Sequence, residues 1–151
     1  MALVVLLRGV NVGGHRAFRP ATLARQLTHF DAVNLGANGT LVIRRRVSEA
    51  KVRAELARII PCDTTVVICQ GRDILRLMSH NPFHDQHVRP EIVRFVSVLS
   101  RLPIGSGPSL PMTLPSSRPW LVNLLARDKR YIFGVYRRHM KVISCLGKLD
   151  R

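Results

Sequence analysis

Apolar residues in this chain come in short runs, broken by polar and turn-forming residues, and the runs switch between a strand period and a helix period. Ala2–Arg8 (ALVVLLR) is an unbroken Val/Leu run, the pattern of a central strand buried on both faces. A loop with three glycines follows over Gly9–Arg19. Pro20 stands where a helix accepts proline, at its first residue. Leu23 and Leu27, four apart, then turn one face of a helix, running to about His29, toward a core. Ala32–Leu35 and Thr40–Arg45 read as strands joined by Gly36-Ala37-Asn38-Gly39, whose Asn-Gly step favours a hairpin. Ser48 is the expected N-cap of a second helix, with Val52, Leu56, Ile59 and Ile60 on one side and Pro61 ending it. Thr64–Cys69 is β-branched and reads as a strand. The order β-α-β-β-α-β predicts an α+β fold whose first subdomain, residues 1–80, is ferredoxin-like.

Beyond it, Asp73–Ser79 reads as a short helix with Leu75 and Met78 in the core, stopped by Asn81-Pro82. Val93–Ser100 is a further strand. Residues 101–119 hold five of the nine prolines, four serines and two glycines, which predicts a long mobile loop. Trp120–Arg127 and Arg130–Arg137 alternate around Asp128-Lys129 as a hairpin, and Ser144–Arg151 has the look of a helix that is only beginning. A smaller α+β second subdomain is therefore expected over residues 92–151, incomplete at its C-terminal end. No internal repeat is visible.

A chain of 151 residues buries roughly 68–70% of its unfolded surface, enough for one domain or two small subdomains. The longest apolar stretch, Ala2–Leu7, is far short of the ~20 residues of a membrane span, and no signal-peptide pattern precedes it. Cys62, Cys69 and Cys145 are odd in number and lack metal-like spacing, which points to a reducing compartment and a cytoplasmic location.

Charge changes the picture more. There are 24 Lys and Arg against 9 Asp and Glu, a formal net charge of +15. Residues 1–100 carry 14 cations and 7 acids, and residues 101–151 carry 10 and 2, so the last third is about twice as positive per residue. Such a chain attracts nucleic acid, acidic lipid and phosphorylated ligands. Only Arg44-Arg45-Arg46 and Arg137-Arg138 are contiguous, so two readings stand: arginines scattered over solvated faces, or a polyanion-binding surface.

Leu6-Leu7-Arg8-Gly9-Val10-Asn11-Val12-Gly13-Gly14 resembles the signature of a bacterial uncharacterised family, domain of unknown function 1697, which opens with Leu-Arg-Gly-Ile-Asn-Val-Gly-Gly. Pro20–Phe30 looks like that family's first helix, Asn34–Ile43 like its second strand pair, and Asn81-Pro82-Phe83 like its Asn-Pro-Phe motif. The resemblance implies two α+β subdomains, the first ferredoxin-like, and no particular activity. Ala37-Asn38-Gly39-Thr40 departs from the family's usual Gln-Ser-Gly-Asn. Family members also continue past Gly147-Lys148-Leu149-Asp150 into a helix and an Arg-Asn-Trp-Asn-like segment.

The loop Gly9–Arg16 is the leading functional candidate. Glycines there let backbone N–H groups turn toward an anion, and Arg8, Asn11, Gly13, Gly14, His15 and Arg16 are the expected anion-binding residues. It is not a P-loop, since His15-Arg16 stand where Lys and Ser/Thr are required. The alternative is a tight connection in which glycines only permit positive φ. Arg8→Lys is expected to weaken anion binding and Arg137→Lys to do little.

His80, His84 and His87 around Asp85 invite a metal reading, but Pro82 breaks the helix that would align them, and no metal or cofactor is expected. Glu49 and Glu55 are expected to pair with Lys51 and Arg58, which leaves acid/base catalysis unsupported. Base-stacking aromatics are missing from the central strands, where Val4, Leu6, Leu41 and Ile43 stand. On the late hairpin, strict alternation puts Asn123 and Arg127 on one face, and Tyr136 with Arg138 on one face of the partner strand. Arg127, Tyr136 and Arg138 are thus candidates for contacting single strands, the alternative being a core-rim tyrosine with outward arginines. The expected function is a cytoplasmic binding domain for a phosphate-bearing anion or nucleic acid. Two alternatives stand beside it: an enzyme acting on a small phosphorylated metabolite at the Gly9–Arg16 loop, and a structural or protein-interaction module.

Overall fold

Antiparallel pairing on both sides of the first apolar run organises the N-terminal part of the chain. The computed structural model describes residues 1–8, 19–36, 39–60, 64–80, 82–86, 89–101, 109–116, 119–139 and 141–146. They divide between two compact units, Met1–Ser79 and His80–Arg151.

In the first unit β1 (Leu3–Arg8) lies between β3 (Thr40–Ile43) and β4 (Thr65–Gln70), with Val5 opposite Leu41 on one side and Ile68 on the other. β2 (Ala32–Asn34) pairs with the far side of β3, giving the antiparallel order β2-β3-β1-β4. α1 (Pro20–Gln26) joins β1 to β2, and α2 (Glu49–Ile59) joins β3 to β4. Each helix thus connects two strands with a third inserted between them, the split β-α-β arrangement that the apolar pattern anticipates.

The core lies on one face of this sheet. Leu3, Val5 and Leu7 of β1, Leu41 and Ile43 of β3 and Ile68 of β4 are buried with Leu23, Leu27, Phe30, Val52 and Leu56 from the helical side. Fully burying one such side chain contributes roughly 1.5–3 kcal/mol. Val4 and Leu6, on the other face, are only half-buried, so two-sided burial of β1 is corrected to one full face and one partial face. An unbroken apolar run does not distinguish these two cases.

Local chemistry sets the ends of the helices. α1 is shorter than its periodicity predicts: after Gln26 the chain tightens into a 3-10 turn over Thr28–Phe30, and Asp31 adopts a left-handed conformation (φ 54°) that leads into β2. Asp31 is fixed by Arg44, 2.7 Å away. The hydrogen bond to the Asp31 carboxylate, then its charge, raises the Arg44 pKa further. Arg45 Nη1 donates to the His29 carbonyl at 2.9 Å, so two of the three contiguous arginines tie the end of β3 to this turn. Ser48 caps α2, its Oγ accepting from the Lys51 N–H at 3.3 Å. Ile60, just before Pro61, is extended as a pre-proline residue prefers. Along α2, Glu55 pairs with Arg58 at 3.6 Å as expected, but Glu49 pairs with Arg53 at 2.9 Å and not with Lys51. Residues four apart share a helix face and residues two apart do not.

α3 (Gly71–His80) leaves β4 directly. Leu75 and Met78 are 69% and 74% exposed, a correction to their expected burial; Leu77 is the buried residue. Two apolar pairs three apart, Ile74/Leu77 and Leu75/Met78, compete on this helix, and periodicity alone does not choose between them.

The second unit is another four-stranded antiparallel sheet, order β5-β8-β7-β6, from β5 (Ile92–Val98), β6 (Met112–Leu114), β7 (Val122–Asp128) and β8 (Tyr131–Arg137). β6 corrects the reading of residues 101–119 as loop throughout: Met112, Thr113 and Leu114 pair with Leu124, Asn123 and Val122. Residues 102–108 and 117–118 lie outside the described residues. α4 (Val142–Leu146) brings Val142, Cys145 and Leu146 to a cluster with Val122, Leu124, Phe95 and Tyr136. Tyr131, Phe133 and Val135 are buried on the other side of β8, where Phe83 of the Asn-Pro-Phe motif meets Phe133 edge-on at 6.0 Å.

Gly134 is the tight point of this sheet. It lies opposite Phe95, and a Cβ there would come within 2.6 Å of the Phe95 ring and 2.9 Å of the Asn123 carbonyl oxygen. Gly134→Ala is therefore expected to destabilise the protein by about 1–3 kcal/mol, seen as a lower denaturant midpoint with an unchanged slope. Ser48→Ala removes the α2 cap and is expected to cost about 1 kcal/mol in the same measurement.

Candidate functional site

Basic residues gather where β8 ends. Arg137, its last residue, is held by its backbone: its N–H donates to the Leu121 carbonyl at 2.9 Å. The next N–H, of Arg138, donates to the Glu91 carbonyl at 2.9 Å. The chain then turns through His139 toward α4, with the Val142 N–H donating to the His139 carbonyl at 3.0 Å. Across from this turn, the Leu121 N–H donates to the Leu114 carbonyl at 2.9 Å, which fixes the return from β6.

Between these segments lies a cleft of about 470 Å³. Arg137, Arg138, His139 and Lys141 line it on one side, and Pro115, Pro119 and Leu121 supply apolar wall. Glu91 is the one carboxylate in the lining among the described residues. The volume falls in the range of small-molecule sites, roughly 300–1,000 Å³. Cationic side chains around a concave apolar surface focus positive potential inside it.

Two side chains in the lining are oriented by neighbours. The Arg137 guanidinium lies over the Trp120 indole, 4.6 Å from the ring centroid, a cation–π contact that presents it as a flat donor fork. His139 Nδ1 accepts from the Lys141 N–H at 3.1 Å, so the neutral imidazole carries its proton on Nε2.

Arg137 also lines a second cavity of about 160 Å³ with Trp120, Asn123, Gln86, Arg89 and Asp85. Asn123 Oδ1 is buried and has no hydrogen-bond partner among the described residues. A buried acceptor left without a donor costs about 1–3 kcal/mol. The loop that carries Gln86 is anchored by Arg94, which donates to the Gln86 carbonyl and lies over the Phe83 ring at 5.7 Å.

Of the residues expected to bind an anion, Arg8 is exposed at the end of β1, opposite Thr65. Asn11, Gly13, Gly14, His15 and Arg16 lie outside the described residues. Of the nucleic-acid trio, Arg127 and Tyr136 share a face of the sheet, because Arg127 lies opposite Ile132, four residues from Tyr136 on β8. β7 shifts register between Leu124 and Ala126, so Asn123 lies opposite Val135 and Arg127 opposite Ile132, on opposite faces of the sheet. This bulge corrects the strict alternation expected of the strand. Tyr136 lies opposite Val122 and packs in the α4 cluster, four residues along β8 from Ile132, or about 13 Å. Arg138 alone of the three reaches the cleft.

His84 Nε2 is 2.9 Å from Asp85 Oδ1, and His87 lies outside the described residues. No group of three or more His, Cys, Asp and Glu among the described residues is arranged to hold a metal. On the first sheet, Leu41 and Ile43 belong to the core face. The other face across β1 and β3 presents Val4, Leu6, Thr40 and Val42, and it likewise lacks stacking aromatics.

Trp120, Asn123, His139 and Lys141 were not among the sequence candidates. The Arg137-Arg138 pair was the available signal, but its neighbours depend on β6, which composition hides. Trp120 is the protein's sole tryptophan, so its fluorescence reports on this contact directly. Arg137→Ala uncovers one indole face, and a red shift of the emission maximum is the expected result; an unchanged spectrum would mean that the stack does not form in solution.

The family model described as "Protein of unknown function (DUF1697)" matches residues 1–103. Neither a curated protein nor a solved structure matches the chain. The matched segment spans the first unit and β5, and the cationic residues of the cleft, 137–141, lie beyond it. No helix among the described residues is long and apolar enough to cross a membrane.

Proposed function

Because the chain belongs to the DUF1697 family, whose description carries no activity, we propose a function from the site itself: a cytoplasmic binding domain for phosphate-bearing anions, nucleic acid included. The cleft at the end of β8 is the observation that carries this reading. Phosphate oxygens suit it in three ways. Arg137 and Arg138 offer guanidinium forks that bind phosphate bidentately, His139 offers an Nε2 donor, and Lys141 adds a point charge. Net charge alone draws polyanions nonspecifically; a concave group of donors adds a place for one phosphate to sit.

The exposed position of Arg8, at the end of a central strand, supports a second reading, in which the Gly9–Arg16 loop holds the anion and acts as an enzyme on a small phosphorylated metabolite. Affinity for a single-stranded oligonucleotide, measured at several salt concentrations, separates the readings. With one phosphate of the strand in the cleft and about two more against the cations beside it, log K should fall with log salt at a slope of roughly −2. Arg138→Ala is expected to lower affinity about tenfold and to reduce that slope by roughly 0.7. Arg8→Lys should leave both unchanged. Loss of affinity in Arg8→Lys alone would transfer the function to the loop, and no binding by the unaltered chain would leave a structural or protein-interaction module.

A further inference from the structure

Resting on that anion-binding reading, we infer that the two cavities beside Arg137 form one nucleotide site, with the phosphate held at Arg138, His139 and Lys141 and the base held against Trp120, Arg137 and Asn123. Arg137 and Glu91 line both cavities, so the two adjoin along a shared wall. Their chemistry differs in the sense a nucleotide requires. The larger, about 470 Å³, is cationic with apolar walls; the smaller, about 160 Å³, is lined by an indole, two amides, and two guanidinium groups balanced by two carboxylates. The smaller cavity is below the usual range for a whole ligand and suits one flat ring.

Three features of the smaller cavity favour a base over another planar group. The Trp120 indole, with the Arg137 guanidinium carbon 4.6 Å from its centroid, brings together the two kinds of group on which bases stack. Asn123 Oδ1, buried and unpartnered among the described residues, calls for a ligand donor, and an exocyclic amino group of a base supplies one. Gln86 adds a second amide to the same lining. In this cavity Asp85 and Glu91 balance Arg89 and Arg137, whereas in the larger one Glu91 stands against Arg137, Arg138 and Lys141, so the phosphate is favoured in the larger. The nucleotide is therefore oriented with its phosphate toward Arg138 and His139. Free nucleotides and nucleotides within a single strand share this chemistry.

The test is titration calorimetry on the full chain with inorganic phosphate, ribose 5-phosphate, AMP, IMP and a short oligoadenylate. AMP should bind about tenfold more tightly than ribose 5-phosphate, the order contributed by stacking one base. IMP, in which an oxygen replaces the exocyclic amino group, keeps the stacking and loses the donor to Asn123 Oδ1, so it should bind less tightly than AMP and more tightly than ribose 5-phosphate. Asn123→Ala should bring AMP down to the IMP level and leave ribose 5-phosphate within twofold, with the Trp120 emission checking that the variant is folded. Should it not fold, the AMP and IMP comparison on the unaltered chain carries the test. Oligoadenylate binding more than tenfold tighter than AMP supports the site as a strand reader, and equal affinities support it as a free-nucleotide site. Equal affinities for ribose 5-phosphate, AMP and IMP would overturn the inference while leaving the anion reading intact. Failure of all five ligands to bind would overturn the anion reading itself.

Discussion

Everything in the second unit depends on β8 being paired on both sides. Its seven residues match Ile92–Val98 of β5 in unbroken register, and its other edge holds β7 through a bulge. That double pairing leaves the final residue of β8 with a fixed backbone: its own N–H is taken up by the Leu121 carbonyl and the N–H of Arg138 by the Glu91 carbonyl. Arg137 and Arg138 are exposed cations on a backbone with little freedom. A cation on a fixed backbone gives up less conformational entropy on meeting a ligand than one on a loose loop, which is how a sheet end becomes a site. Gly134 belongs to the same constraint, since Phe95 lies across the strand where a side chain would otherwise stand.

The bulge in β7 has a consequence for chemistry as well as for shape. By adding one residue between Leu124 and Ala126, it sends Asn123 to one face and Arg127 to the other. Asn123, opposite Val135, lies on the side of the small cavity with Trp120 and Arg137, and the bulge keeps Arg127 off that side. Without the bulge, the two residues would share a face, as simple alternation has it, and a cation would stand on the side where the amide now stands. β-bulges commonly redirect side chains next to functional sites.

Legibility in the sequence follows the range of the interactions involved. The seven N-terminal elements are set by local signals: Pro20 at a helix start, Ser48 as a cap, and β-branched runs. These act within a few residues, and the structure agrees with them to within a residue or three at each end. What was not legible depends on contacts distant in the chain. Met112–Leu114 forms a strand only because β7 offers an edge to it, and its Pro- and Ser-rich flanks argue locally for loop. The choice of Leu77 over Leu75 and Met78 is made by what α3 packs against, which helical period does not encode. The cleft belongs to the same class, as it joins Pro115, Leu121 and Arg137 from three separate segments.

The arginines illustrate the same distinction in charge. Arg44 and Arg45 form the longer contiguous run with Arg46, and by sequence alone they are the stronger polyanion candidate. Yet Arg44 is engaged with Asp31 and Arg45 with the His29 carbonyl, so their donors serve the turn that follows α1. Arg53 and Arg58 are paired with carboxylates on their own helix. Arg137 instead rests on an aromatic ring, which orients its guanidinium without consuming its hydrogen-bond donors. A guanidinium oriented by π-stacking keeps its edge N–H groups for an incoming oxyanion, whereas one paired with a carboxylate must first give that partner up. The functional weight of an arginine in this protein is thus set by the kind of partner it already has, not by how many arginines adjoin it.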